Sequence, residues 1–165
     1  MMKNYTIEIR WAIQFSLVSI VWMIFEKSMG WHDENIEKQA IYTNMFAFVA
    51  IGIYFLALRD KKKNFYQNAM TWKEGFLSGM ILSTVIAVLS PFVQYITFTF
   101  ITPNFFKNII DYVVSNKIQT AQQAEMYFSR NSYIVQGIFG ALSFGALTSA
   151  ILAFVLKSKN NNNEK

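Results

Sequence analysis

The chain of 165 residues has no cysteine, a single histidine and two prolines, and only 15% of it is charged. Without cysteine there is no disulfide, no thiolate nucleophile and no zinc–thiolate site. His32 stands alone, and no GxSxG, phosphate-loop or dinucleotide pattern accompanies it, so neither a catalytic triad nor a nucleotide site is legible. A soluble domain carries about 25% charge. Here the place of charge is taken by apolar residues at 53% and aromatics at 17%. That composition argues strongly against disorder for the chain as a whole and against a soluble globule, and it points to an integral membrane protein.

The few charges divide the chain into apolar windows: residues 11–25, 39–58, 75–106 and 131–156 carry none. A spanning helix needs about 20 predominantly apolar residues. The last three windows meet that length outright. The first meets it if Glu26 and Lys27 lie near the interface, with Lys27 reaching outward along its own stem and Trp31 marking the headgroup level. The expected spans are 11–29, 39–58, 76–102 and 133–156, forming one membrane domain over 1–156. A soluble bundle is the alternative, but its helices would each show a polar face. Residues 81–89 and 151–156 show none. The fold class is therefore all-α, a membrane bundle of four helices. The first window has the basic flank of a secretory signal, yet no small-x-small cleavage site follows, so it is expected to remain as a span.

Lys and Arg counted by segment fall ten on one side and five on the other, with Arg59, Lys61, Lys62 and Lys63 pressed against the end of the second span. The positive-inside rule then puts both termini in the cytoplasm and the 103–132 loop outside it. The net charge of +5 reflects this topology, and no nucleic-acid partner is inferred. A secondary reading of Lys61 to Lys63 is contact with anionic lipid.

Small residues mark where helices can approach, because lipid gives helices no hydrophobic reason to associate. Gly75, Gly79, Ser83 and Ala87 recur every four residues in the third span, and Gly137, Ala141, Gly145, Ser149 and Ala153 in the fourth. These nine are expected to pack the two spans against each other, with a homodimer seam or a pore lining as the lesser readings. Pro91 should kink the third span, with Ser90 and Thr97 helping to satisfy freed backbone groups, and Pro103 should close it.

The 103–132 loop is large enough for structure of its own. Phe105, Phe106, Ile109, Ile110, Val113 and Val114 recur at helical spacing and form an expected interaction surface, facing membrane, bundle or partner. A capping box at Thr120 and Gln123 predicts a short helix over 121–128. His32, Asp33 and Glu37 raise the thought of a divalent ion, but a solvated acidic loop is the reading adopted, so no metal site, cofactor or catalytic residue is assigned. Gln14, Asn44, Gln94 and Gln136 are expected as interhelical hydrogen-bond formers. Segment 157–165 reads as a disordered polar tail.

Several local features together resemble a bacterial family of small four-span membrane proteins, domain of unknown function 4199. They are Met29-Gly30-Trp31-His32 after the first span, Leu58-Arg59-Asp60 after the second, 76–79 opening the third, and Thr102-Pro103 closing it. The resemblance runs from the first span to Leu156. It implies an all-helical fold in a bacterial inner membrane and brings no activity with it. The expectation from the sequence is a non-enzymatic membrane component whose partners are lipids, a second copy or another membrane protein. A small oligomeric transporter or channel is the runner-up.

Overall fold

A computed structural model describes residues 5–158. The expected polar tail lies outside the described residues, apart from Lys157 and Ser158. The described chain is helical: α1 (Thr6–Ser28), α2 (Gln39–Thr43), α3 (Phe46–Asn64), α4 (Trp72–Ile96), α5 (Phe105–Ser115), α6 (Ala121–Tyr127) and α7 (Arg130–Leu156). A 3-10 turn (Ile36–Lys38) leads into α2, and a π turn (Thr97–Ile101) extends α4. Four stretches are long and apolar enough to cross a membrane: Thr6–Ser28, Ile36–Asn64, Trp72–Ile101 and Arg130–Leu156.

The spans differ in extent from the windows, and each difference has a local cause. The first begins at Thr6 rather than near residue 11, because Glu8 turns inward and finds a partner instead of ending the helix in water. The second continues past Leu58 to Asn64, where Lys61, Lys62 and Lys63 occupy the last turn and complement the helix dipole. It is interrupted at Asn44 and Met45, between α2 and α3. The third begins at Trp72, fixed by a capping box. The Thr71 hydroxyl accepts from Glu74 N at 3.3 Å, and the Glu74 carboxylate accepts from Thr71 N at 2.7 Å.

Pro91 does not interrupt α4. Proline removes the donor that would reach Ala87 O, and the Ser90 hydroxyl donates to that same carbonyl at 3.0 Å. The regular ladder gives way later, at the π turn, just before Pro103. From Trp72 to Ile101 the helical path runs about 45 Å, longer than a hydrocarbon core of about 30 Å. The far end of this path packs beneath α5, where Phe98 stacks on Phe105.

The most extensive packing joins α4 to α7. A Cβ on Gly79 would overlap the Ser149 side chain, and one on Gly75 would lie 3.0 Å from Ala153 Cβ. On the facing helix, a Cβ on Gly145 would lie 2.6 Å from Ser83 Cβ and 2.7 Å from the Tyr54 hydroxyl. Each step of four up α4 is a step of four down α7, the antiparallel register of two small-residue rows. The next step in that register pairs Ala87 with Ala141. Near the far end the spacing opens, and Gly137 sits against Gln94. Tyr54 from α3 closes the middle of this seam, its hydroxyl 2.9 Å from Ser83 Oγ. Around it lies the core of Ala12, Ala57, Leu58, Leu82, Ile86 and Leu152.

The outward faces are apolar. Val21, Phe48, Phe92, Phe139 and Phe154 are each more than 60% exposed. In water this surface would aggregate; in a bilayer it is the face that meets lipid.

Candidate functional site

Two buried polar clusters sit at opposite ends of the bundle. The first joins α1, α3 and α4. Glu8 Oε1 lies 2.9 Å from Lys61 Nζ and accepts from the Ser78 hydroxyl at 2.7 Å. All three residues are at most 4% exposed. The Lys61 ammonium also lies 3.9 Å from the centre of the Phe65 ring. Each charge sits at the helix end that favours it: Glu8 in the first turn of α1 and Lys61 in the last turn of α3. In the following loop, burial pushes the Tyr66 phenol above its ordinary value, and the negative charges of Glu74 and Glu8 and the nearby Tyr5 push the same way. The rest of this end is tied by backbone. Ser158 N donates to Met70 O at 2.8 Å, and Lys62 Nζ donates to Leu156 O at 2.7 Å.

The second cluster is built on Glu26, which is fully buried. Its carboxylate accepts from Trp22 Nε1 at 2.6 Å and from the Thr43 hydroxyl at 2.7 Å, and lies 2.9 Å from His32 Nε2. Gln39 in turn donates to Thr43 at 3.0 Å. The chain achieves this within a short span of sequence. Helix α1 ends at Ser28, and Gly30 takes φ +74°, a conformation that favours glycine. The turn returns His32 to the carboxylate six residues behind it. Trp31 stacks on Tyr42 with ring centres 4.2 Å apart. Asn108 of α5 donates to His32 O at 3.0 Å and to Asp33 Oδ1 at 2.8 Å, fastening the loop helix onto the turn. The His32 ring stands edge-on to Phe105, and its Nδ1 is buried with no hydrogen-bond partner. Other buried unpaired atoms gather on the end of α4 and its π turn: Gln94 Oε1, Thr97 Oγ1 and Thr99 Oγ1.

Three expectations change here. His32 does not lie in a solvated acidic loop, because the Gly30 turn folds it under α5, where Glu26 supplies its partner. Trp31 is not an open interfacial side chain; at 8% exposed it is packed between Tyr42 and Phe25. Lys61 is not a lipid contact, because it lies on the inward stripe of α3 with Ala50, Tyr54 and Ala57. Lys27, by contrast, does reach along its stem, and its ammonium donates to Ile101 O.

The loop helices also take a definite place. Phe105, Ile109 and Val113 are buried with Ile36, Phe98 and Ala124. Phe106, Ile110 and Val114 are half-buried against the same cluster. The face expected as an interaction surface is thus largely covered by the chain itself, because α5 lies down on the end of α4 and the turn before α2. On α6 and its approach, Ile118, Met126 and Tyr127 remain exposed. Met126 and Tyr127 line, with Gln119, Gln123 and Ser132, a surface cavity of about 510 Å³. Of the four intramembrane amides, Gln14, Asn44 and Gln136 are exposed, and Asn44 and Gln136 bond within their own helices. Only Gln94 packs across to another span.

Sequence reasoning missed the first cluster and read the second as two unrelated features. A signal was present. Glu8, Ala12, Phe15, Ser19, Trp22 and Glu26 recur at alternating steps of four and three along one face of α1, so the buried Ala12 implies inward neighbours on both sides.

Among the described residues no group of three or more His, Cys, Asp or Glu is placed to hold a metal ion. The clusters have the groups for holding or passing a proton: buried carboxylates, an ammonium, an imidazole and hydroxyls at hydrogen-bond distance. No curated protein and no solved structure matches the chain. The family described as protein of unknown function, DUF4199, matches over residues 10–158, a stretch holding every cluster residue except Glu8. The chain belongs to that family.

Proposed function

We propose that this is a multi-pass component of a bacterial cytoplasmic membrane, with both termini on the cytoplasmic side, that acts through contacts with lipids and membrane proteins rather than by catalysis. The observation that supports it best is the division of surfaces. Large apolar side chains cover the outside of the spans, while Glu8 with Lys61 and Glu26 with His32 are buried and paired inside at the bundle's two ends. The ten-to-five Lys and Arg count supports the orientation. Ile118, Met126 and Tyr127, outside the spans, are apolar side chains open to a partner. Reporter fusions after Leu58, Asn116 and Leu156 test the topology. Cytoplasmic signals are expected at Leu58 and Leu156 and an external one at Asn116. Affinity purification from native membranes, with lipids and proteins identified, tests the interaction; recovery of the chain alone would remove it.

One observation favours a second reading, transport of protons or ions. Buried ionisable groups in membrane proteins mark ion pathways by default, and this chain has one such cluster at each end. Proton flux into liposomes carrying the pure protein, abolished in Glu26→Gln, would replace the interaction reading with this one.

A further inference from the structure

The α4–α7 seam opens on its lipid side, at the Lys61 end, into a groove of about 480 Å³ lined by Trp72, Ala150, Ile151, Phe154 and Val155. The groove is built. Trp72 Nε1 donates to Ala150 O at 3.1 Å and its ring stacks on Phe76, which fixes one wall. The opposite wall is the last two turns of α7. Its apolar lining lies within a helix pair that spans the membrane by length and hydropathy, so the medium that reaches it is acyl chain.

Charge is arranged at the mouth. Lys157 Nζ lies 4.1 Å from the centre of the Phe154 ring, a groove wall, and Lys157 is exposed. Lys73 follows Trp72 in the first turn of α4 and is also exposed. The acids of this end have partners of their own: Glu74 caps α4, Asp60 takes Arg10 and Trp11, and Glu8 takes Lys61. The charged group in contact with a groove wall is the Lys157 ammonium. The surface cavity beside α6, by contrast, is lined by Gln119, Gln123, Met126, Tyr127 and Ser132, none of them charged.

We propose that this groove is a binding site for an anionic glycerophospholipid of the surrounding bilayer. One acyl chain lies along Ile151, Phe154 and Val155, and the headgroup phosphate meets the Lys157 and Lys73 ammonium groups. A basic pocket between spanning helices is the arrangement that selects such headgroups. The proposal deepens the reading of the chain as a lipid- and protein-contacting bundle and rests on it.

The test uses the full chain in detergent. Bound phosphatidylglycerol and phosphatidylcholine with identical acyl chains are titrated and counted by native mass spectrometry. Each ammonium should favour the anionic lipid by about fivefold. Lys157→Gln should lower the preference by about that factor, and Lys73→Gln with Lys157→Gln should abolish it. Ile151→Trp, made from an exposed position, fills the groove and should remove both lipids while the melting temperature stays unchanged. Equal retention of the two lipids by the natural chain overturns the proposal, as does a preference that survives the double lysine variant. If Ile151→Trp instead breaks a dimer, the groove's occupant is a second copy, and the proposal also fails. Reporter fusions that put this end outside the cytoplasm would overturn the topology reading while leaving the lipid measurement intact, so the two failures are distinguishable.

Discussion

The two ends of the bundle hold their buried charge in different ways. At one end, Glu8 and Lys61 come from helices 53 residues apart and meet through packing. At the other, Glu26 and His32 are six residues apart and meet through a turn. The first arrangement exists only once α1 and α3 lie side by side. The second needs only the end of α1 and a glycine, and then recruits Thr43 and Asn108. The long-range ion pair therefore reports on helix assembly, while the local glutamate–histidine contact anchors the elements laid over it. Variants should separate these roles.

The largest effect is expected at the long-range pair. Glu8→Ala leaves the Lys61 ammonium buried without its carboxylate, a change that costs about 3–5 kcal/mol. Glu8→Gln with Lys61→Met removes both charges, leaves an amide for Ser78, and should recover most of that loss, because buried ion pairs are often replaceable by neutral groups. Thermal melting in detergent measures both. A double variant as unstable as Glu8→Ala would mean that charge, and not mere satisfaction, assembles the spans.

At the local cluster, Glu26→Ala strands Trp22 Nε1, the Thr43 hydroxyl and His32 Nε2 together. A fully buried unsatisfied group costs about 1–3 kcal/mol, but the Trp22 and Thr43 contacts are only part-buried, so the total should stay below the loss at Glu8. The loss should concentrate at the loop end. Protease cleavage near Lys107 or Lys117 should accelerate, while the α4–α7 seam stays protected from hydrogen exchange. Uniform loss of protection across all spans would erase the distinction between the two ends.

The seam lies between these ends and tests what the sequence made legible. Its small residues, spaced by four, were readable because close backbone approach demands them whatever else surrounds the helices. The spans were readable for a similar reason: lipid imposes length and apolarity on each helix alone. The clusters were legible only as a row of residues along α1, because the sequence alone does not say which face of α1 turns inward. That is set by neighbours tens of residues away. His32 was hidden by a single backbone angle at Gly30, without which it would sit among Asp33 and Glu34 in water. Gly145→Leu should cost about 1–3 kcal/mol or more, since even a Cβ overlaps Ser83 and crowds Tyr54. Leu at Phe154, which faces outward, should change melting little. Equal tolerance at the two positions would break the assignment of seam and lipid face together.

The smallest effect, and the one that most sharpens the contrast between the ends, is expected at Gly30. Its φ of +74° costs an L-residue about 1–2 kcal/mol, and an added Cβ would lie 3.0 Å from Asn35 Nδ2, a flexible side chain that can yield. Gly30→Ala should therefore lower stability by about that amount through backbone strain. Gly30→Asn, which tolerates the left-handed region better, should lose less. The penalty belongs to the turn that returns His32 to Glu26. A second change at Glu26 should therefore add less than its full cost, since a strained turn already holds the pair poorly, whereas Glu8→Ala should add in full. A double-mutant cycle of Gly30→Ala with each glutamate variant reads this directly. Full additivity with Glu26→Ala would show that the imidazole reaches its carboxylate without help from the turn. The loop end would then be assembled, like the other, by packing alone.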